Sequence, residues 1–304
     1  MTDATKQKLL SPCITTPLLV VFVLSSMQLS KLALKNLGED TNIFVAAGVI
    51  QLISLMLPCI LYYLLKGRKL SSPMYLVSVR GSHIFFIIFS ALFFISGMLF
   101  IKFVYYINGG KIASLVNFYQ DFTGTVEGSN EFEMILALII VPAICEELFF
   151  RGVVLSEYRP YGAANAIIVS ALCFSMLHFS VENFFIYLFA GLLLGFVTVV
   201  SQSIIPAVAL HLLSNTLSIY TSDMFLRVMV KKNGAFFIGF VLATLTLLSL
   251  VLVLSRVESI CYSYAENPPS ESLPPKSAKN WVKVFLSPSF LILTAVFICF
   301  TLLL

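Results

Sequence analysis

Charged residues are scarce in this chain of 304 residues. Only 11% of the residues are Asp, Glu, Lys or Arg, whereas 59% are hydrophobic, and the mean hydropathy is +0.97. A soluble domain with this composition would expose much of its apolar surface to water. The net charge is only +4, and the basic residues cluster beside apolar runs, which is typical of contact with lipid headgroups rather than with nucleic acid. The composition therefore predicts a membrane protein with no nucleic-acid partner.

The chain also lacks paired cysteines. Its six cysteines stand apart from one another, none forms a C-x-x-C motif, and most lie inside apolar runs. A thiol in such a run packs as a small hydrophobic group. The spacing therefore disfavours both a disulfide framework and a zinc-thiolate site.

Long hydrophobic runs are abundant instead, and about 20 apolar residues suffice to cross a bilayer. The sequence predicts an all-α, polytopic membrane helical bundle with eight or nine transmembrane helices. The candidate spans lie near residues 13–33, 43–65, 84–106, 134–155, 163–180, 184–200, 204–221, 235–255 and 284–304. The first run is interpreted as a retained span rather than a cleaved signal peptide, because many further runs follow it.

Three regions are predicted along the chain. Residues 1–130 hold the N-terminal transmembrane helices and a long loop, residues 131–222 form a catalytic helix core, and residues 223–304 hold the C-terminal helices with a Pro- and Ser-rich linker at 258–283. Lys and Arg are more frequent on the side of the N-terminus, which predicts a cytoplasmic N-terminus for a protein of the cell membrane. The functional site is expected just below the cytoplasmic surface.

One predicted span contains the stretch CEELFFRG with three ionisable side chains, Glu146, Glu147 and Arg151. Each charged group at the centre of a bilayer costs about 2.5 to 3.5 kcal/mol, so such a cluster is a candidate functional site. Glu147 and Arg151 have the i, i+4 spacing of an ion pair, whereas Glu146 points about 100° away around an ideal helix. The alternative is that the cluster lies at the membrane surface, with Arg151 extended to the headgroups.

Two later spans carry histidines. Phe174 and His178 lie one turn apart in FSMLHF, and His211 and Asn215 lie one turn apart in HLLSN. A single histidine in an apolar helix is usually a satisfied core residue, and an asparagine often joins two helices. Short connections between these spans nevertheless make them neighbours, so we expect the side chains to converge on one cavity.

These residue types suit hydrolysis of an acyl bond by an activated water. A partly dry carboxylate or an imidazole can accept the proton of water, and Asn or His can donate to an oxyanion. No G-x-S-x-G motif is present, and Cys145 would point about 100° from Glu146 on an ideal helix, which disfavours a nucleophilic role. The metal requirement stays open. Glu146, His178 and His211 are candidate zinc ligands, although the H-E-x-x-H motif is absent.

The three motifs together resemble those of a known family. EELFFR fits EExxxR, FSMLH fits FxxxH and HLLSN fits HxxxN, in the order found in the CPBP family of CAAX-processing type II prenyl endopeptidases and bacteriocin-processing or self-immunity proteins. The resemblance implies an intramembrane endopeptidase in which Glu146 and His178 activate water. It also implies that His211 and Asn215 bind the oxyanion and that Glu147 and Arg151, with Phe174, support the site.

The sequence thus predicts a glutamate-type or metal-dependent peptidase that acts on a membrane peptide or protein in the lipid bilayer. One alternative is a CPBP-like immunity or scaffold protein that binds a partner without cleaving it. Another is a proton-coupled transporter that uses Glu146, His178 and His211 as a relay, although the first half of the chain shows no matching polar helix.

Overall fold

The computed structural model of the chain describes residues 11–34, 42–66, 76–109, 131–229, 234–266 and 278–302. Within these ranges every regular element is helical, which confirms the predicted all-α class. The helices are α1 Pro12–Leu34, α2 Ile43–Lys66, α3 Ile84–Ile107, α4 over residues 131–161, α5 Ala163–Leu177, α6 Phe184–Ser201, α7 Ile205–Met229, α8 Gly234–Glu266, α9 Ala278–Phe285 and α10 Pro288–Leu302. Most of the long loop predicted after Asn108 lies outside the described residues.

Helix α4 changes its winding along its length. It begins as an α-helix at Glu131–Ile135, passes through a π-helical stretch at Leu136–Ile140, and returns to an α-helix at Val141–Glu147. A second π-helical stretch follows at Leu148–Leu155, before the segment ends in a short α-helical and a 3₁₀ turn. Gly162 then adopts a φ of 109°, a backbone conformation that favours glycine, and separates α4 from α5.

Among the described residues, five helical stretches are long and apolar enough to cross a membrane. They are Pro12–Ser30, Ile43–Leu64, Gly81–Ile107, Phe184–Ser201 and Gly234–Tyr264, and the shorter apolar helices are Ala163–Leu177, Ile205–Tyr220 and Pro288–Leu302. The predicted spans coincide with described helices, and together these helices indicate a multi-pass membrane protein. The number of eight or nine transmembrane helices stays a prediction.

Contacts between helix ends define two ends of the bundle. At the proximal end, where α1 begins, the Cys13 thiol lies 3.5 Å from the Tyr161 hydroxyl, and Ser203 donates to the carbonyl of Val77. At the distal end, Asn42 donates to Glu133, and the Tyr220 hydroxyl donates to Glu131 over 3.0 Å. Helices α1 to α7 therefore alternate in direction, and the chain enters the odd-numbered helices from the proximal end and the even-numbered helices from the distal end.

The second half of α4 is the centre of the bundle. Phe149, Phe150, Val153, Val154 and Leu155 are each 0% exposed. Because apolar side chains are buried on every side of this stretch, it packs against α2, α5 and α6 rather than against lipid. A polar or charged side chain in this stretch must therefore find its hydrogen-bond partners within the protein.

The C-terminal region differs from the predicted linker at 258–283. Helix α8 continues to Glu266, and Ala278–Phe285 is helical as well. Residues 258–266 contain no proline or glycine, whereas Pro268 restricts the residue before it and explains the end of α8. Ser287 then caps α10 at Pro288, a favourable first helical residue, and Ser289 donates to the carbonyl of Cys13 in α1.

Candidate active site

Glu147 and Arg151 form an ion pair in the interior of the protein. Arg151 Nη1 donates to Glu147 Oε1 over 2.9 Å, and both side chains are 0% exposed. Arg151 Nη2 also donates to the carbonyl of Gly191 in α6 over 3.2 Å. The predicted i, i+4 pair is therefore confirmed, and the alternative in which Arg151 extends to the membrane surface is wrong.

Glu146 has a partner on a different helix. Gln51 in α2 donates from its amide to Glu146 Oε1 over 2.8 Å. The second carboxylate oxygen, Oε2, is buried and has no hydrogen-bond partner among the described residues. Glu146 is thus held through one oxygen while the other is left to accept a proton.

His211 lies between the two glutamates. Its Nδ1 is 2.9 Å from Glu147 Oε1, and its Nε2 is 3.9 Å from Glu146 Oε2. Because the Glu147 carboxylate also pairs with Arg151, it accepts at this contact, so Nδ1 carries a hydrogen. The separation at Nε2 is too long for a direct hydrogen bond. His211 is therefore oriented by Glu147 and presents Nε2 towards Glu146.

Phe174 joins the two histidines and the arginine. Its ring centroid is 5.0 Å from the ring of His178 and 5.6 Å from the ring of His211, and the Arg151 guanidinium lies 4.8 Å from the same centroid. A guanidinium at this distance from an aromatic face gains a cation–π attraction. Phe174 therefore lies in contact with His178, His211 and Arg151.

His178 ends α5 and is fixed in a different way. Its Nδ1 is 3.0 Å from the carbonyl of Phe174, and its ring stacks on Tyr187 of α6 with centroids 3.6 Å apart. A carbonyl oxygen can only accept, so Nδ1 donates here and Nε2 is the basic nitrogen. The stacked ring restricts His178 to one orientation.

A cavity of about 100 Å³ lies between α3, α5, α6 and α7. Three predicted site residues, His178, His211 and Asn215, are on its wall, whereas Glu146 is not and lies behind His211. The described wall consists of Phe94, Met98, Lys102, Phe174, His178, Ile186, Tyr187, Ala190, Leu194, His211, Ser214, Asn215 and Ser218. The structure therefore brings the predicted site residues into one region, with the acids buried beneath the histidines.

The cavity lies in the distal half of the bundle. His178 is at the distal end of α5, Tyr187 is in the first turn of α6, and Lys102 is near the distal end of α3. The expectation that the site lies just below the cytoplasmic surface stays a prediction, because no contact of the described residues identifies the cytoplasmic side. That expectation came from the position of Glu146 along one helix, whereas the cavity is formed by the ends of three others.

The EELFFRG stretch crosses from an α-helical into a π-helical winding, which the sequence analysis missed. Glu146 and Glu147 end the α-helical part, and Arg151 lies within the π-helical stretch Leu148–Leu155. Single π-helical turns inside α-helices are rare and are frequent at functional sites. Apart from Arg151 and Gly152, the residues of Leu148–Leu155 are apolar and ordinary for an α-helix, so the hydrophobic periodicity does not indicate the altered winding.

The predicted zinc ligands do not assemble into a metal site. No group of three or more His, Cys, Asp or Glu in the part of the chain that the structure describes could hold a metal ion. Glu146, His178 and His211 therefore do not form a ligand set within the described residues, and the metal requirement stays open.

Sequence reasoning missed two polar residues from the first half of the chain. Gln51 of α2 binds Glu146, and Lys102 of α3 lies on the cavity wall. Both are polar exceptions in otherwise apolar helices, which is the signal that identified the later motifs. The first half of the chain therefore contributes two polar side chains to the region of the site.

The site residues of α4, α5 and α7 fall inside a stretch that matches a known protein family. Residues 128–217 match the family model of type II CAAX prenyl endopeptidases, Rce1-like. This match supports membership of the CPBP family. Neither the curated proteins nor the solved structures contain a match to the chain. The family suggests a CAAX-type intramembrane protease with substrates in the membrane. Gln51 and Lys102 lie outside the matching residues.

Proposed function

We propose that the protein is an intramembrane endopeptidase of the glutamate type that hydrolyses a peptide bond of a membrane-associated substrate. The observation that carries the proposal is the arrangement of Glu146, His211 and Glu147. Glu146 Oε2 has no hydrogen-bond partner among the described residues and lies 3.9 Å from His211 Nε2. His211 in turn lines the cavity and is held by a buried ion pair.

In this mechanism Glu146 is the general base. Water positioned between His211 Nε2 and Glu146 Oε2, which lie 3.9 Å apart, attacks the scissile carbonyl carbon, and its proton passes to Glu146 Oε2. The Gln51 amide holds the other carboxylate oxygen, so the accepting oxygen keeps a fixed position. Shielding from bulk water strengthens electrostatic interactions in such a site and makes a positioned carboxylate an effective base.

The carbonyl oxygen becomes an oxyanion when the carbon–oxygen bond to water forms. Asn215 donates to it from its side-chain amide, and the imidazolium form of His211 donates from Nε2. With that form, the charges of Glu146, Glu147, Arg151 and His211 sum to zero. Donors that are already in place where charge develops stabilise the transition state without reorganisation.

Collapse of the tetrahedral intermediate breaks the carbon–nitrogen bond, and the leaving amine takes up a proton. His178 Nε2 shares the proton transfer with Glu146, because its other nitrogen is bound to the Phe174 carbonyl. Stacking on Tyr187 keeps this nitrogen at the cavity. No step of this mechanism requires a metal ion.

The variant Glu146→Gln tests the proposal. Glutamine keeps the shape and the bond from Gln51 but cannot accept a proton, so we expect turnover to fall by about 100-fold or more. The assay uses purified protein in detergent with a library of membrane peptides, and products are identified by mass spectrometry. Glu157→Gln is the matched control, because Glu157 is also buried in α4 but lies outside the site. Retention of more than about a tenth of the activity would contradict the role of Glu146.

The same assay separates the peptidase from an immunity or scaffold protein. A protein of that second kind would bind peptides from the library and release them uncut, in the wild type as in Glu146→Gln. Cleavage by the wild type and binding without cleavage by the variant is the result expected of the peptidase.

The orientation in the membrane is a separate proposal. The distribution of basic residues favours a cytoplasmic proximal end, which would direct the distal cavity to the opposite side. Single cysteines at Ser78, which is exposed at the proximal end, and at Val181, which is exposed at the distal end, test it in a cysteine-free background. Labelling of Val181→Cys by an impermeant reagent from the cytoplasm would reverse the orientation.

A further inference from the structure

The C-terminal helix α10 runs from the proximal towards the distal end of the bundle. At its start, Ser289 donates to the carbonyl of Cys13, and the helix packs along α1. Near its distal end, Phe297 and Phe300 reach the connection between α5 and α6. Helix α10 therefore contacts the edge of the candidate site, although it lies outside residues 128–217, which match the family model.

The two phenylalanines of α10 have the i, i+3 spacing of residues on one helix face. The ring centroid of Phe300 lies 6.0 Å from that of Phe179 in an edge-to-face arrangement. The ring centroid of Phe297 lies 6.0 Å from that of Phe184. Aromatic pairs at such separations attract each other beyond the effect of their buried area. One face of α10 thus binds both ends of the connection between α5 and α6.

These contacts flank the stacked rings of His178 and Tyr187, whose centroids lie 3.6 Å apart. Phe179 directly follows His178 in the chain, and Phe184 begins α6 one turn before Tyr187. A shift of the end of α5 against the start of α6 would separate the two stacked rings. Because α10 binds a residue beside each ring, it restricts this shift.

Phe179 has a backbone conformation that is unusual for its side chain. Its φ is 47°, in the left-handed region. After the last turn of a helix this conformation normally belongs to glycine, which has no Cβ to clash. A bulky residue keeps it only where the surrounding structure holds the residue in place. The ring of Phe179 packs against Phe300 and the core, and this packing accounts for a phenylalanine at the position.

We propose that α10 positions His178 for proton transfer, with Phe297 and Phe300 as positioning residues and Phe179 as their link to His178. The inference rests on the proposed peptidase function, in which His178 Nε2 shares the proton transfer, and it adds a helix from outside the family match to that machinery. The three phenylalanines act through the connection between α5 and α6 rather than through contact with the substrate. A small displacement of a group that transfers a proton lowers the rate strongly, because the reaction requires a fixed geometry.

The position of His178 can be measured by NMR without any assay of cleavage. The chain has three histidines, so full-length protein in detergent with ¹³C-labelled histidine gives three ring signals, and His178→Gln identifies the signal of His178. The stacked ring of Tyr187 shifts this signal through its ring current. In Phe300→Ala we expect the signal to move towards that of an unstacked histidine, whereas His83, at the proximal end, should keep its signal. An unchanged His178 signal in Phe300→Ala overturns the proposal.

The variant Phe179→Gly separates positioning from stability. Glycine suits the left-handed conformation but cannot contact Phe300, so thermal unfolding should change little while the His178 signal moves. Phe300→Tyr keeps the aromatic ring and should keep the wild-type signal. Ile298→Ala, on the exposed side of α10, is the matched control and should also keep it, since Ile298 is 48% exposed. A wild-type His178 signal in Phe179→Gly overturns the proposal.

Steady-state kinetics with a cleaved peptide connect the position of His178 to turnover. Phe300→Ala and Phe179→Gly should lower kcat by about tenfold, because general acid–base catalysis contributes about 10²-fold or more and is only partly lost. KM should change little, since the substrate-binding wall is intact, and Ile298→Ala and Phe300→Tyr should keep the wild-type kcat. An equal fall of kcat in Ile298→Ala, or a rise in KM with unchanged kcat in Phe300→Ala, overturns the proposal.

The NMR and kinetic measurements keep this inference separate from the peptidase itself. If the wild type cleaves no peptide, the peptidase function is overturned, whereas a His178 signal that moves in Phe300→Ala and Phe179→Gly still supports positioning by α10. If the wild type cleaves and the signal moves without any change in kcat, the contribution of α10 to the reaction is overturned and the peptidase function stands.

Discussion

The acid cluster consists of Gln51, Glu146, Glu147 and Arg151, and the cavity wall lies in front of it. The two neighbouring regions differ in how their polar side chains are buried and paired. In the cluster, Glu147 and Arg151 are 0% exposed and bind each other and their surroundings. On the wall, His178 and Asn215 are only half-buried. Removing a charge from the cluster leaves its buried partner without a counter-charge. Removing a polar side chain from the wall changes only a surface that solvent or substrate can reach. The pair of Glu147 and Arg151 should therefore govern stability, whereas Glu146 and the wall should govern turnover.

The largest effect is expected for the ion pair. Glu147→Gln leaves Arg151 as an uncompensated buried charge, and breaking such a pair costs about 3 to 5 kcal/mol of unfolding free energy. Thermal unfolding in detergent measures the loss. Combining Glu147→Gln with Arg151→Met should restore part of the stability, because no unpaired charge remains. Equal losses in Glu146→Gln and Glu147→Gln would contradict the division of roles between the two glutamates.

The next effect concerns the cavity wall. Asn215→Ala removes a donor that acts mainly in the transition state, so kcat should fall by about 10²- to 10³-fold while KM changes little. Steady-state kinetics with a cleaved peptide separate the two constants. Ser218→Ala, one turn further along the same wall of α7, is the control and should change kcat little. A rise in KM with unchanged kcat would assign Asn215 to substrate binding.

A smaller effect is expected for Gln51, the residue from the first half of the chain that binds Glu146. Gln51→Leu removes the 2.8 Å bond to Glu146, and a hydrogen bond to a charged group is worth about 1.5 to 3 kcal/mol. Turnover should fall by about tenfold or more, because Glu146 loses its fixed position. Gln28→Leu alters another buried glutamine, in α1, and should leave turnover unchanged. Similar turnover in both variants would show that Gln51 does not contribute to catalysis.

The smallest expected effect concerns the packing that supports the cluster. A Cβ on Gly191 would lie 2.8 Å from the Cα of Ala171, so Gly191→Ala must shift α6 against α5. Overpacking of this kind costs about 1 to 3 kcal/mol, and the shift would also weaken the bond from Arg151 to the Gly191 carbonyl. Gly195→Ala is the control, since its Cβ would meet atoms only at 3.4 Å. Thermal unfolding of the two variants should differ, and equal stability would show that α6 adjusts freely.

The sequence predicted a good part of the fold and the site. The apolar runs coincide with described helices, because a run of this length has few alternatives in a membrane. The i, i+4 spacing predicted the pair of Glu147 and Arg151, because one helix fixes that geometry without help from the rest of the chain.

What the sequence alone determined is therefore what a single helix determines: the membrane environment, the approximate extent of the helices, and the pairing of residues one turn apart. Only the tertiary structure decided that Arg151 is buried rather than at the surface, that His211 lies between the two glutamates, and that Gln51 and Lys102 join the site. Each of these facts depends on the side chains of different helices. The relative rotation and level of neighbouring helices are set by packing over their whole surface, which no local spacing records.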